Sequence, residues 1–330
     1  MATYKDLIGT AVRNNAGNLS DDQKDQIFYD STNIDFKYRI ANVTSAASWS
    51  TGENLNTGRT RLAGAGNTSN VLAIGGDTVP NTYTGKTELW SGVTWTEVND
   101  LNTARLGPGG SGIYTSALAF GGTTSAPVAP GRQSVTESWN GTSWTEVNDL
   151  NTARLDLMGG GISTASWAAG GNVDGFSNAT ETWNGSTWTT SPATLNTARS
   201  QSSGTGTYTA AIVAGGSPGN TAAVETFDGS SWTEVNDLNT ARRLLAASGT
   251  QTSALVAGGD VPSTTGKTET WDGTSWTEVT DLNTARRGLA SDNQGSDNTS
   301  ALYFGGRTSP YQQTELFTGV GANIGSWSTG

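Results

Sequence analysis

The chain has 330 residues, including 44 Gly, 12 Trp, no Cys and no His, and its 18 basic and 29 acidic residues leave a net charge of −11. Without Cys there are no disulfides, thiolate nucleophiles or zinc–sulfur sites. Without His the usual general base and the commonest metal ligand are missing, so most hydrolytic triads and metal-hydroxide mechanisms are excluded. The acidic balance argues against a nucleic-acid partner and against docking on anionic lipid.

The opening "MATYKDLIGTAVRNNAGN" holds no apolar segment long enough for a signal peptide, and no stretch reaches the roughly 20 apolar residues of a transmembrane segment, so no membrane insertion is expected. "QIFYD" 26–30 and "FKYRI" 36–40 read as two strands about the turn "STNID". "SWSTG" 48–52 is a candidate third strand and "YKDLIGTAV" 4–12 a fourth.

From there on the chain repeats. "SWTEVNDLNTAR" occupies 143–154 and recurs letter for letter at 231–242, with near-copies ending at Arg59, Arg105, Arg199 and Arg286. The closing arginines Arg59, Arg105, Arg154, Arg199, Arg242 and Arg286 are separated by 46, 49, 45, 43 and 44 residues, periods that point to propellers or arrays. Each unit begins with a segment of small residues and continues with an apolar run closed by a glycine pair: "VLAIGG" 71–76, "ALAFGG" 117–122, "SWAAGG" 166–171, "AIVAGG" 211–216, "ALVAGG" 254–259 and "ALYFGG" 301–306. A variable polar loop leads to "TELW", "TESW", "TETW", "VETF", "TETW" or "TELF", then a tight turn and the Trp-bearing segment.

The apolar runs are too short for independent helices and suit strands covered on both faces. Aromatic- and Thr-rich runs meeting at Asn140-Gly141, Asn184-Gly185, Asp228-Gly229 and Asp272-Gly273 are hairpin signals. The glycine pairs leave room for an indole or a backbone to approach. The spacing thus predicts a four-stranded antiparallel sheet written six times. Sheets stacked radially bury their faces against one another. In that arrangement Trp95, Trp144, Trp188, Trp232 and Trp276 are inter-blade wedges, and "NDLNTAR", with Arg105, Arg154, Arg242 and Arg286, is the structural joint between blades. A catalytic motif is needed once; a joint is needed at every blade.

The glycine pair after an apolar strand, the spaced aromatic, the Trp and the closing Arg together resemble the kelch motif over residues 48–330, which implies an all-β fold, a β-propeller of four-stranded antiparallel blades. One departure is that the Tyr expected before the Trp strand is often Trp or Phe. The fourth-strand signature occurs seven times, because "SWSTG" 48–52 returns as "SWSTG" 326–330, whereas glycine-pair strands number six. Seven blades are favoured, six kelch-like and a divergent one from the N-terminal segment 1–47; a six-blade ring with a separate appendage is the alternative.

Each unit carries a third-strand Glu: Glu88, Glu137, Glu181, Glu225, Glu269 and Glu315. These are read as structural partners of the closing Arg rather than a cation or sugar ring, since a buried charge needs a paired group. A second set, Glu97, Glu146, Glu234 and Glu278, is read as a solvated outer face. No twelve-residue calcium loop is present, and the copper chemistry of a kelch-like oxidase does not carry over without His and Cys. No cofactor, metal site or catalytic residue is expected, and the protein is read as no enzyme. The loops after the glycine pairs diverge and should share one rim, where Tyr83, Arg132, Phe176 and Tyr311 are the candidate ligand-binding residues. Asp77, Asp174 and Asp260 are the loop carboxylates a polysaccharide-degrading site would need.

The leader "MATYKDLIGTAVRNNAGN…FYDSTNIDFKYR" resembles the N-terminal segments of virion structural proteins of marine cyanobacterial viruses. That resemblance implies a capsid decoration, tail fibre or baseplate appendage in the virion, assembled in the host cytoplasm. Its implied partners are other virion proteins and a host surface glycan or protein. The alternative is a free carbohydrate- or protein-binding propeller.

Overall fold

The computed structural model describes residues 47–78, 82–125, 131–295 and 297–319, together with the backbone of three short strands at 13–15, 27–30 and 35–38. The chain divides into two compact units, Met1–Ser45 and Ala46–Gly330. In the first, Ile27–Asp30 and Asp35–Tyr38 pair antiparallel, and Arg13–Asn15 joins Ile27–Asp30 in parallel. The expected strand at 4–12 lies outside the described residues.

The second unit is a six-bladed β-propeller, all β, and among the described residues no helix is long and apolar enough to cross a membrane. The first blade is Ala63–Asn67, Asn70–Ile74, Thr87–Trp90 and Trp95–Val98. The second is Gly109–Ile113, Ser116–Phe120, Thr136–Trp139 and Trp144–Val147, and the third, fourth and fifth repeat this order through Val279. First strands pack side by side in a closed circle from 63–67 round to Ala290–Ser291 and back.

The sixth blade corrects the favoured count of seven. Its first three strands, Ala290–Ser291, Ser300–Phe304 and Thr314–Thr318, come from the end of the chain, but its fourth is Ser48–Thr51 from the beginning. The register is Glu315↔Thr51, Leu316↔Ser50, Phe317↔Trp49 and Thr318↔Ser48. The 48–52 segment therefore closes the ring and does not build an N-terminal blade. Strands from both ends of the chain complete the sixth blade, so the edge of Thr314–Thr318 that would otherwise stand open is paired by Ser48–Thr51.

Sequence accounts for each strand position. First strands converge on the axis and must be thin: a Cβ on Gly64 would sit 1.9 Å from the Ser291 carbonyl oxygen, and one on Gly110 2.8 Å from that of Gly64. Second strands are sandwiched between neighbouring blades, so their apolar runs are buried on both faces, as in Val71–Ile74 and Ala117–Phe120. Fourth strands bury the Trp and expose the residues that follow. At the hairpin tip Gly141 has φ of 92°, while Asn140 Oδ1 accepts the backbone N–H groups of Thr142 and Ser143, each at 2.9 Å. At the equivalent tip the N–H groups of Ser230 and Ser231 hold the Asp228 carboxyl down at about 2.

Candidate functional site

Two sets of side chains repeat around the ring, and they behave differently. The first is the joint. Arg105 follows the first blade; its carbonyl accepts the Gly76 N–H of that blade at 2.9 Å, while its guanidinium meets Glu137 of the second blade at 2.9 Å. Glu137 also accepts the Asn102 backbone N–H at 2.7 Å, the Asn102 Nδ2 at 2.9 Å and the Thr103 N–H at 3.2 Å. Asn102 Nδ2 lies 3.1 Å from the Trp144 carbonyl as well. One joint therefore stitches two blades, and the third-strand Glu is the peg.

The same construction appears as Arg59–Glu88, Arg154–Glu181, Arg199–Glu225, Arg242–Glu269 and Arg286–Glu315, all buried. The Arg242–Glu269 contact, 3.1 Å, lies off the hydrogen-bonding angle, so it is an ion pair only. Burial pushes the guanidinium groups of Arg59, Arg105, Arg154, Arg242 and Arg286 down, Arg286 to about 10, and the facing carboxylates oppose the shift. They remain cationic near neutrality. The glycine pairs make room for backbone, not indole: a Cβ on Gly121 would lie 2.6 Å from the Arg154 carbonyl oxygen.

The tryptophans complete the joint. Trp95 packs edge-on against Phe304 of the preceding blade at 4.9 Å and donates its indole N–H to Thr314 Oγ1 at 3.0 Å. Trp144, Trp188 and Trp232 donate likewise to Thr87, Thr136 and Thr180. Where the fourth unit writes Val224 in place of that Thr, Trp276 donates instead to the Asn236 carbonyl at 3.1 Å. Cross-strand partners sit beside them, as in Trp139–Trp144 at 5.3 Å.

The second set lies two residues past each closing Arg and was not anticipated from the sequence. Arg61, Gly107, Asp156, Gln201, Leu244 and Gly288 all have φ between 51° and 63°. Each backbone N–H donates to the carbonyl of the equivalent residue one blade earlier, at 2.7 to 3.1 Å, and the sixth bond closes a ring about the axis. The left-handed conformation costs a non-Gly residue roughly 1 kcal/mol, yet four of the six are not Gly. No local pattern marks the position: it lies just past the constant joint and reads R, G, D, Q, L, G beside residues that vary as well.

This ring frames the mouth of the propeller, on the face where the loops after the glycine pairs emerge. Two cavities of about 440 and 470 Å³ meet there and share Arg61, Gln201 and Arg243. Arg61 reaches across to Asp156, Nε at 3.2 Å from Oδ1 and a second bond from Nη2 to Oδ2. Asp260 is gripped by Arg287 at 2.7 Å and Arg243 at 3.5 Å. Asp77 is 7% exposed and its Oδ1 has no hydrogen-bond partner among the described residues. Burial raises its carboxyl above the ordinary value, against the pull of Arg61 and Arg307.

The predicted rim residues divide. Tyr83 borders the cavity that holds Asp77 and Arg307. Arg132 and Phe176 border the other, with Arg132 paired to Asp174. Tyr311 borders neither; its carbonyl accepts the Arg59 N–H at 3.1 Å, beside the seam. Of the three loop carboxylates, Asp174 and Asp260 are paired with arginines and Asp77 has no ion pair among the described residues, while Asp77 Oδ1 and Asp260 Oδ1 both lack a hydrogen-bond partner there.

Away from the mouth the axis is crossed by Asp292–Gly295, where the sixth unit abandons its first strand. Asn293 Nδ2 donates to Gly110 O at 2.8 Å and Gln294 Nε2 to Gly161 O at 2.9 Å, while the Gln294 N–H reaches Gly66 O at 3.0 Å. Asp292 is fully buried, accepts Ser248 Oγ–H at 2.7 Å and faces no cation, so burial pushes its carboxyl up to about 8. Between this crossbar and the mouth lies an axial cavity of about 120 Å³.

Among solved structures the chain resembles YjhT, with a TM-score of 0.66 and 13% identity over 82% of this chain and 97% of that one. At that identity the likeness shows the propeller fold alone. No protein-family model and no curated protein matches the chain.

Proposed function

We propose that this protein is a binding propeller whose axial mouth takes an anionic, hydroxyl-rich ligand such as an acidic oligosaccharide. The supporting observation is the charge of the basin. Arg61, Arg243, Arg287 and Arg307 surround Asp77, Asp156 and Asp260, so the mouth is locally positive in a chain of net charge −11. Arg307 is exposed and has no ion-pair partner among the described residues; it offers a site for a carboxylate or sulfate. The open Oδ1 of Asp77 needs a donor, which a sugar hydroxyl provides. Tyr83 and Phe176 stand at the edges of the basin, where a sugar ring can stack.

The test is an oligosaccharide array containing neutral and uronic-acid members. Binding of the acidic members alone, falling with salt and at least tenfold weaker in Arg307→Ala, supports the reading. Equal binding of neutral sugars, or none by any member, refutes it.

We further propose a virion setting, with residues 1–47 as the attachment region, residues 48–330 as the kelch-like propeller and the mouth turned towards the host surface. The support is the leader's resemblance to virion proteins and a polarity of the propeller itself. Fourth strands start, and third strands end, on the face opposite the mouth. The chain thus enters at Ser48 and leaves at Thr318 side by side on that face. Fixed-stoichiometry recovery of the protein in purified particles supports this setting; its absence from particles favours the free binding propeller.

A further inference from the structure

The crossbar at Asp292–Gly295 makes a hydrogen bond to each of the other five blades. Gly66 O of the first blade accepts the Gln294 N–H at 3.0 Å, Gly110 O of the second accepts from Asn293 Nδ2 at 2.8 Å, and Gly161 O of the third from Gln294 Nε2 at 2.9 Å. Thr205 Oγ1 of the fourth donates to Asn293 O at 2.9 Å, and Ser248 Oγ of the fifth to Asp292 Oδ1 at 2.7 Å. A first strand such as Ala246–Thr250 runs for five residues, whereas here it stops after Ala290–Ser291 and the chain turns across the axis. Asn293 lines the axial cavity of about 120 Å³, and Gln294 alone of the four crossbar residues is partly exposed. These residues thus separate the cavity beneath the mouth from the opposite face.

We propose that Asp292–Gly295 is a proton-operated plug, which seals the far end of the axial cavity while Asp292 is protonated and leaves the axis when Asp292 ionises, joining the cavity to the opposite face. Such a device needs a buried carboxyl that no charge neutralises. The strands packed beside Ala290–Ser291 are Ala63–Asn67, Ala246–Thr250 and Ser300–Phe304, and they bring one titratable side chain, Tyr303. Its hydroxyl is bound to the Leu255 and Ala246 carbonyls, and burial holds it protonated well above its usual range. Arg242, the cation that acts on Tyr303, is paired with Glu269. Asp297, in the turn beyond, accepts the Thr299 N–H and hydroxyl. Asp292 Oδ2 has no hydrogen-bond partner among the described residues. Its ionised form is therefore disfavoured in place and regains water on release. In place the carboxyl titrates at about 8, whereas a released one titrates near an ordinary value of about 4. Linkage then favours release by up to about tenfold per pH unit between those values and adds nothing above them. The bonds that must break belong to the crossbar alone, while the blades keep their own strand pairing, so the opening is local. This holds whatever the mouth binds.

Native-state hydrogen exchange on the full chain tests the plug. After correction for the intrinsic rate at each pH, exchange of the Gln294 N–H should quicken by up to about tenfold per pH unit from about pH 5 to 8 and then level off. Amides of the second strands, such as those of Val213 and Val256, should stay far better protected. In Asp292→Asn the Gln294 amide should lose this dependence. Protection of Gln294 equal to that of Val213 at every pH would mean that the crossbar opens only with global unfolding, and would overturn the proposal. A pH dependence retained in Asp292→Asn overturns it as well. The passage has its own test, because the chain contains no Cys. Ala247→Cys places a thiol in the wall of the axial cavity. Its labelling by a small thiol reagent, relative to a free thiol at the same pH, should rise over the same range with Asp292 and stay level in Asp292→Asn. Identical labelling in the two backgrounds shows that the reagent enters without the plug opening and contradicts the passage.

Discussion

Arg154 and Asp156 are two residues apart, and they belong to different regions with different rules. Arg154 is part of a joint whose letters recur around the ring because each meets the same partners at every blade: a glycine N–H behind, a third-strand Glu ahead. Asp156 belongs to the mouth, where the backbone is held in one conformation by a six-membered ring of hydrogen bonds but the side chain is different at nearly every blade. Symmetry in the first region sets the shape. Its breaking in the second is what gives a six-fold ring a single, asymmetric basin, the ligand site proposed above.

The sharpest way to break this contrast is at a joint peg. Glu137→Ala leaves the buried Arg105 without its counter-charge and the Asn102 and Thr103 amides without an acceptor. A loss near the upper end of about 3–5 kcal/mol is expected in denaturant unfolding. Removing a wedge, Trp144→Ala, should cost about 3–5 kcal/mol from the cavity and the lost indole bond. Equivalent changes in other blades should cost the same; a joint whose loss is harmless would show that the copies are not equivalent.

The axial region gives smaller and different effects. Asp292 keeps its proton in the folded state up to about pH 8, whereas the unfolded chain releases it near an ordinary carboxylate value of about 4. The native state thus binds the extra proton across that window, and stability should fall as pH rises through it, by at most about 1.4 kcal/mol per pH unit. Asp292→Asn should remove this slope when unfolding is followed from pH 5 to 8. Smaller still, Leu244→Gly relieves the left-handed strain at φ of 56° and should stabilise the chain by up to about 1 kcal/mol.

What could be read from the sequence follows the same division. Strands, hairpin tips and joints were legible because each rests on local chemistry repeated six times: the Asn-Gly tip, the double-faced apolar run, the Glu three strands away from its Arg. The blade count was not, because "SWSTG" occurs at both ends and no local pattern says which copy pairs with Thr314–Thr318. Loop divergence pointed to the rim that carries the mouth and drew attention to Tyr83, Arg132 and Phe176, which border its cavities, but the ring at Arg61, Asp156, Gln201 and Leu244 lies just past the constant segment, where the letters vary and no shared residue type marks the backbone ring. The crossbar at Asp292–Gly295 was hidden for another reason. Its partners, Gly66, Gly110 and Gly161, come from three other blades, and only closure of the ring brings them together.

The division between shape and recognition is tested most directly by measuring the affinity of one acidic oligosaccharide for Arg307→Ala and for Trp232→Phe beside the unaltered chain. Weaker binding at unchanged melting temperature in the first, and unchanged affinity at lowered melting temperature in the second, is the predicted result. Affinity that follows the joint and ignores the mouth would contradict it.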